Sequence, residues 1–263
     1  MADILPIAAI ELDIVWADPK ENLRRVSAIL DQLPADIELV VLPEMFSTGF
    51  IADRLLLQEV VKEHTAPTLA ALKGMAESRS LAIAGSMVAG NGDGKVYNRG
   101  FFITPDGREM YYDKRHLFRL SAENSLYTGG ENRPPVISYQ GWNISMIVCF
   151  DLRFPVWSRN TEEQYDCLLV PANWPQVREY AWEHLLIARA IENQAVIVGA
   201  NRGGTDDFGT YDGLSYIFDE MGKPVYERLK DVPAVVSRPS LSKIKSFREH
   251  LPITLSADRF DIK

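Results

Sequence analysis

Four short stretches of this chain are almost wholly aliphatic: Leu39-Val40-Val41-Leu42, Ile144-Ser145-Met146-Ile147-Val148, Cys167-Leu168-Leu169-Val170 and Ala195-Val196-Ile197-Val198. Runs this short and this apolar make strands covered on both faces, the habit of parallel sheets lying under helices. Helix-length segments separate them. Residues 19–33 read as a helix, with Asp18 as its cap and Pro19 tolerated in its first turn. Further helices are expected over residues 67–80, near 155–164 and over 182–193. Strands are expected over residues 4–12 and 81–88, the latter turning at 90–94 into 95–104. Pro105-Asp106-Gly107 then turns that strand into 108–112. A last hairpin over 215–227 turns at 219–222. Residues 241–263 open as a helix and end in an irregular tail. Helices, parallel-type strands and hairpins together imply an α/β fold with mixed sheets.

The chain has 263 residues and no Gly/Ser-rich, Pro-rich or charge-block linker between similar halves. One domain over residues 1–263 is therefore expected. The net charge of −8 leaves no basic footprint for nucleic acid and no polybasic membrane anchor. No uncharged apolar stretch reaches membrane-spanning length. The amino terminus lacks the basic-then-apolar order of a secretory leader. Two cysteines, Cys149 and Cys167, make no disulfide framework and suit a reducing compartment, so cytoplasmic residence is expected. His64, His116, His184 and His250 are scattered, with no H-E-x-x-H and no C-x-x-C, which argues against a zinc hydrolase. No G-x-S-x-G and no phosphate-binding glycine loop occurs. No metal and no cofactor is expected.

The chemistry gathers where strands end. Cys149 closes one aliphatic run and precedes a polar, proline-broken turn, Phe150-Asp151-Leu152-Arg153-Phe154-Pro155. That is the carboxyl edge of a sheet, where open α/β folds bind ligands. A thiol there can be a nucleophile, although a lone buried cysteine is more often a small core residue. Glu44 follows another run, after Pro43 has ended the strand. Partial burial should raise its pKa and suit it to be a general base; alone it could equally be a solvated strand-end glutamate. Lys114 lies just past a hairpin. Its ammonium could hold an oxyanion and lower the thiol pKa; alone it reads as a surface lysine.

Taken together, Pro43-Glu44-Met45-Phe46, Asp113-Lys114-Arg115-His116-Leu117-Phe118 and Cys149-Phe150-Asp151-Leu152-Arg153-Phe154-Pro155 resemble the nitrilase superfamily of carbon–nitrogen hydrolases. The likeness runs on through Ala188-Arg189-Ala190-Ile191-Glu192-Asn193-Gln194, Asn201-Arg202 and Gly213-Leu214-Ser215, covering nearly the whole chain. Ser47-Thr48-Gly49-Phe50 and Pro171-Ala172-Asn173-Trp174-Pro175 make it most similar to the omega-amidases, which hydrolyse the terminal amide of alpha-keto acid amides such as 2-oxoglutaramate. The resemblance implies a four-layer αββα sandwich with two mixed sheets, dimerised through helices. It implies Cys149 as nucleophile, Glu44 as base, Lys114 with the backbone N–H of Phe150 as oxyanion donors, and a second glutamate between lysine and cysteine. Glu123 fits that place; Glu131, after the glycine turn, fits less well. The family's proline in that turn is replaced here by Gly129, and its glutamine near the first strand by Glu11.

For the substrate, Phe118, Arg153, Trp174 and Arg178 are candidates. Trp174 could wall a pocket or simply be packed. Arg153 could bind a carboxylate or, the favoured reading, form a structural ion pair. The expected partner is a small amide, with neither nucleic acid nor membrane. An N-carbamoyl hydrolase or aliphatic nitrilase would use the same catalytic set. A binding protein that keeps the fold without catalysis is the distant alternative.

Overall fold

The computed structural model describes residues 2–92, 94–258 and 260. Asp93 of the expected 90–94 turn, and residues 259 and 261–263 of the expected tail, lie outside them. The chain opens with β1 (Ile7–Ile10), α1 (Pro19–Leu30) and β2 (Leu39–Val41). Next, α2 (Arg54–Glu59) runs through a π-helical turn, Val60–His64, into α3 (Thr65–Arg79). A meander follows: β3 (Ala82–Gly90), β4 (Val96–Ile103) and β5 (Glu109–Asp113). The single turn α4 (Glu123–Leu126) precedes β6 (Val136–Tyr139), β7 (Trp142–Met146) and β8 (Cys167–Ala172). Then come α5 (Glu179–Asn193), β9 (Val196–Asn201) and the hairpin β10 (Gly203–Asp206) with β11 (Gly209–Asp212). β12 (Tyr216–Phe218), β13 (Glu227–Arg228), β14 (Ala234–Ser237) and α6 (Leu241–His250) complete it.

Seven strands form one mixed sheet in the order β13-β14-β1-β2-β3-β4-β5, and five form another in the order β12-β9-β8-β7-β6. Each holds a parallel trio, β1-β2-β3 and β7-β8-β9, flanked by antiparallel strands. The aliphatic runs sit in these trios, as their two-sided burial requires. Ile7, Val41, Trp142, Ile144, Leu169 and Val198 share the core between the two sheets. The outer face of the larger sheet packs Val40, Ile83 and Phe101 against Val26, Leu30 and Leu72 of α1 and α3. The outer face of the smaller packs Leu168, Val170 and Ile197 against Trp182, Leu186 and Ala190 of α5. Four layers result, the αββα order expected. The sheets approach closely at Gly100, where an added Cβ would lie 2.7 Å from the Met146 sulfur. No helix among the described residues is long and apolar enough to cross a membrane.

Local chemistry explains the elements that hold and those that do not. Asp18 caps α1 by accepting from the Glu21 N–H at 2.9 Å. The expected helix near 155–164 is absent: the segment is turns and a 3-10 turn at Thr161–Glu163. Asn160 explains this, since its side chain bonds both the N–H and the carbonyl of Tyr165 and offers the backbone a partner other than a helix. The expected 215–227 hairpin has its turn, closed by Gly222 N–H to the Asp219 carbonyl at 2.9 Å. Its arms pair only next to the turn, where the Val225 N–H donates to the Ile217 carbonyl at 2.9 Å; beyond it β12 pairs with β9 and β13 with β14, so the chain crosses between sheets.

Candidate active site

The carboxyl edges of the two parallel trios meet, and the Glu44 N–H donates to the Ala172 carbonyl across them at 3.4 Å. Glu44 follows β2 and is 5% exposed. Met45 beside it has φ +46°, a conformation that non-glycine residues adopt at a cost. Its N–H donates to Ser86 Oγ at 3.0 Å, which holds the turn against β3. Lys114 follows β5 and is 2% exposed. Its N–H donates to the Asn98 carbonyl, and its carbonyl accepts from the Gly130 N–H, both at 2.9 Å. Gly130 is required there, because a Cβ would fall on the carbonyl oxygen of Asp113.

Lys114 Nζ donates to Glu44 Oε1 at 2.9 Å and to Glu123 Oε1 and Oε2 at 2.9 and 3.1 Å. Burial by itself would lower the Lys114 pKa, but the charges of Glu123 and Glu44 together outweigh it and hold the ammonium well above its usual range. Glu123 opens α4 and accepts from the Phe118 N–H at 2.6 Å. Glu131 is not at this site; Glu123 is. Asn98, in the middle of β4, joins the cluster through Nδ2, at 2.7 Å from Glu44 Oε1 and 3.4 Å from Glu123 Oε1. Sequence reasoning passed over Asn98. A polar amide inside an otherwise buried strand was the available signal, since such a group needs partners.

Cys149 stands at φ +45° and opens a 3-10 turn, Cys149–Arg153. The Phe150 N–H lies in that first turn, where amides have no intrahelical acceptor. Asp151, fully buried, fixes the turn: its Oδ2 accepts from the Val148 N–H and the Tyr112 hydroxyl, and its Oδ1 from the His116 N–H. His116 Nδ1 lies 2.7 Å from the same oxygen. The Lys114 loop and the Cys149 turn are thereby tied together. Lys114 does lower the thiol pKa, as expected of it, but the net shift is upward. Burial and the Glu44 charge raise it well above its usual value, and Lys114 only partly opposes them. Cys167 is fully buried in β8, and burial raises its pKa too.

Glu44, Lys114, Glu123 and Cys149 line a cavity of about 350 Å³. Phe118, Phe150, Arg153, Trp174 and Arg178 line it. Arg153 does not make the structural ion pair favoured for it. Its guanidinium lies 4.8 Å from the Trp174 ring centre, and among the described residues it has no carboxylate partner. Arg178 likewise lies 5.1 Å from the Phe118 ring and forms no ion pair there. Trp174 fulfils both readings: it walls the cavity, and it is locked by bonds from its N–H to Asn201 Oδ1 and from Nε1 to the Arg178 carbonyl. Phe50, Phe208 and Tyr211 also line the cavity without having been singled out. The last two come from the β10–β11 hairpin, which the sequence reading left unassigned. Among the described residues no group of His, Cys, Asp and Glu could hold a metal ion. A protonated thiol, a carboxylate able to take its proton and a fixed ammonium together suit attack on a carbonyl carbon.

A family model described as carbon-nitrogen hydrolase matches residues 6–233. The omega-amidase YafV of Yersinia enterocolitica is 38% identical over 260 residues, which cover 97% of this chain and 98% of the relative. A 2-oxoglutaramate amidase of Bacillus subtilis is 30% identical over 249 residues, covering 94% and 95%. A CN-hydrolase superfamily protein of Xanthomonas campestris, solved with an arsenic adduct in its active site, has a TM-score of 0.90 at 34% identity, covering 100% of each chain.

Proposed function

The chain belongs to the carbon–nitrogen hydrolases and acts on linear amides; from that premise we propose that it hydrolyses the terminal amide of a small alpha-keto acid amide, of the 2-oxoglutaramate or 2-oxosuccinamate type, through a thioester on Cys149. Glu44 takes the thiol proton as sulfur attacks the amide carbon and the C–S bond forms. Lys114 Nζ and the Phe150 N–H hold the resulting oxyanion. Glu44 passes its proton to the nitrogen, the C–N bond breaks and ammonia leaves. The same carboxylate then draws a proton from water, whose oxygen attacks the thioester. The C–S bond breaks, and the sulfur recovers its proton. Glu123 keeps Lys114 in place.

One observation carries the substrate class. The buried Glu44, Lys114 and Cys149 line the cavity together with the exposed Arg153 and Arg178, which have no carboxylate partner among the described residues. That polarity favours a substrate with an amide at one end and a carboxylate at the other. The relatives named omega-amidase and 2-oxoglutaramate amidase agree with it. An N-carbamoyl amino acid also offers a carboxylate and is the second reading, whereas a simple aliphatic nitrile leaves both guanidiniums unused. Ammonia release is the test, from 2-oxoglutaramate, 2-oxosuccinamate, glutamine, N-carbamoyl-beta-alanine and a simple nitrile, with Cys149→Ala as control. Turnover is expected to be fastest on the keto acid amides and lost in the variant. Preference for the carbamoyl compound or the nitrile would overturn the substrate class.

A further inference from the structure

The β10–β11 hairpin supplies cavity wall without an apolar face of its own. It joins neither large sheet. Its strands, Gly203-Gly204-Thr205-Asp206 and Gly209-Thr210-Tyr211-Asp212, bury a single residue between them, Tyr211. So little buried apolar surface cannot by itself hold a hairpin against the body. Yet Phe208, at its tip, and Tyr211 both line the cavity.

The anchor is Arg202, only 1% exposed. Each nitrogen of its guanidinium is engaged. Nε donates to the Gly203 carbonyl at 3.1 Å, and Nη2 to the Ile14 carbonyl at 3.3 Å. Nη1 donates to Asp206 Oδ2. The other oxygen of Asp206 accepts from the Phe208 N–H at 2.9 Å, so the carboxylate carries the hold on to the tip. The guanidinium carbon lies 4.4 Å from the centre of the Tyr211 ring. Both cavity residues of the hairpin are thus tied to one buried cation. The backbone N–H of Arg202 donates to the Ala172 carbonyl at 3.3 Å, the same oxygen that the Glu44 N–H reaches. The hairpin is thereby registered to the sheet edge that carries Glu44.

A buried charge is a costly fastening, and apolar packing would serve stability alone as well or better. A planar fork that fixes several directions at once supplies orientation instead. We infer that Arg202 is a positioning residue of the substrate cavity: through Asp206 and the Tyr211 ring it sets the pose of Phe208 and Tyr211, and with it the affinity for the acyl part of the amide. Its side chain bonds none of Glu44, Lys114 and Cys149, so binding rather than bond-making should follow it. This inference rests on the reading of the cavity as the substrate's.

The test measures KM and kcat in wild type, Arg202→Met, Phe208→Ala and the double variant. The substrate is whichever amide the wild-type enzyme turns over fastest in the ammonia panel, so failure of the keto acid assignment leaves the comparison intact. Arg202→Met should raise KM about 10- to 100-fold and change kcat by less than about threefold, the mark of lost uniform binding. Because the effect runs through the hairpin, the two substitutions should not multiply: adding Phe208→Ala to Arg202→Met should raise KM by less than about threefold more. Arg202→Lys keeps a charge for Asp206 and loses the fork, so its KM should fall between wild type and Arg202→Met. Thermal melting verifies folding, and Arg202→Lys takes the place of Arg202→Met in the cycle if that variant does not fold. An Arg202 that only stabilises the fold would lower the melting temperature and leave KM at its wild-type value, which overturns the inference. Effects on KM that multiply in the double variant, or a loss of kcat larger than the rise in KM, overturn it as well. If Phe208→Ala alone leaves KM unchanged, the cavity itself has been misread and the inference falls with it.

Discussion

In the proposed reaction Lys114 serves both as a structural cation and as an oxyanion donor. Its Nζ contacts one oxygen of Glu44 and both oxygens of the Glu123 carboxylate, which can share one N–H, so its position is set before any substrate arrives and a donor is left for the oxyanion. Lys114→Ala should lower kcat on the preferred amide by about 10²–10³-fold, the scale of one oxyanion donor. Melting should also show a loss of stability, because two buried carboxylates would then face each other without a counter-charge. A loss of kcat below tenfold would remove Lys114 from the donor role. Glu44, Lys114 and Cys149 were legible in the sequence because each follows a recognisable strand end. Asn98 was not, because it works from the middle of a strand. The net state of the thiol was not legible, because the burial and the Glu44 charge that outweigh Lys114 depend on the folded packing.

Two short elements shape the cavity, and neither could be read from periodicity. The first is the turn after β7, held by Asp151 through the N–H groups of Val148 and His116 and the hydroxyl of Tyr112. Asp151→Asn places an amide where two acceptor oxygens are needed, and should cost about 1–3 kcal/mol in unfolding experiments. Alkylation of Cys149 by iodoacetamide should show an altered rate in this variant as the turn loosens. Unchanged melting and unchanged alkylation would leave Asp151 without a positioning role. The second element is the β10–β11 hairpin, which belongs to neither large sheet and brings Phe208 to the cavity wall. Phe208 packs edge-on to Phe50 at 5.1 Å. Phe208→Ala should raise KM by roughly tenfold and change kcat little, since the half-exposed ring carries no group that can move a proton and supplies only uniform binding. The sequence around it, Asp206-Asp207-Phe208-Gly209, has the turn residues of a hairpin, but its strands are too short and too polar for a period to show. The four aliphatic runs were legible for the opposite reason: burial on both faces leaves no room for polar residues, so composition alone reveals them.

Across the whole molecule, burial of the centre links activity to stability on the alkaline side. Lys114 in the folded chain is held above its ordinary value of 10.5, so its contribution is complete below that pH and fades as pH rises through the folded value. The Cys149 thiol is held above its ordinary 9.0, so the folded state keeps a proton that the unfolded chain releases above that pH. Both effects have the same sign. The melting temperature should fall steadily from about pH 9 upward, and fall less steeply in Cys149→Ala, as a pH series of thermal melts can test. A parallel slope in the two proteins would mean that the thiol is not held protonated.

The N–H of Glu44 reaching the carbonyl of Ala172 has a consequence in time as well as in space. Glu44, Lys114, Cys149 and Asn173 come from segments spread between residues 44 and 173 and from two different sheets. No partial chain that stops before β8 can hold them together, however well its own strands have formed. During refolding, secondary structure should therefore return before catalysis, and the lag between them measures how long the two sheets take to find each other.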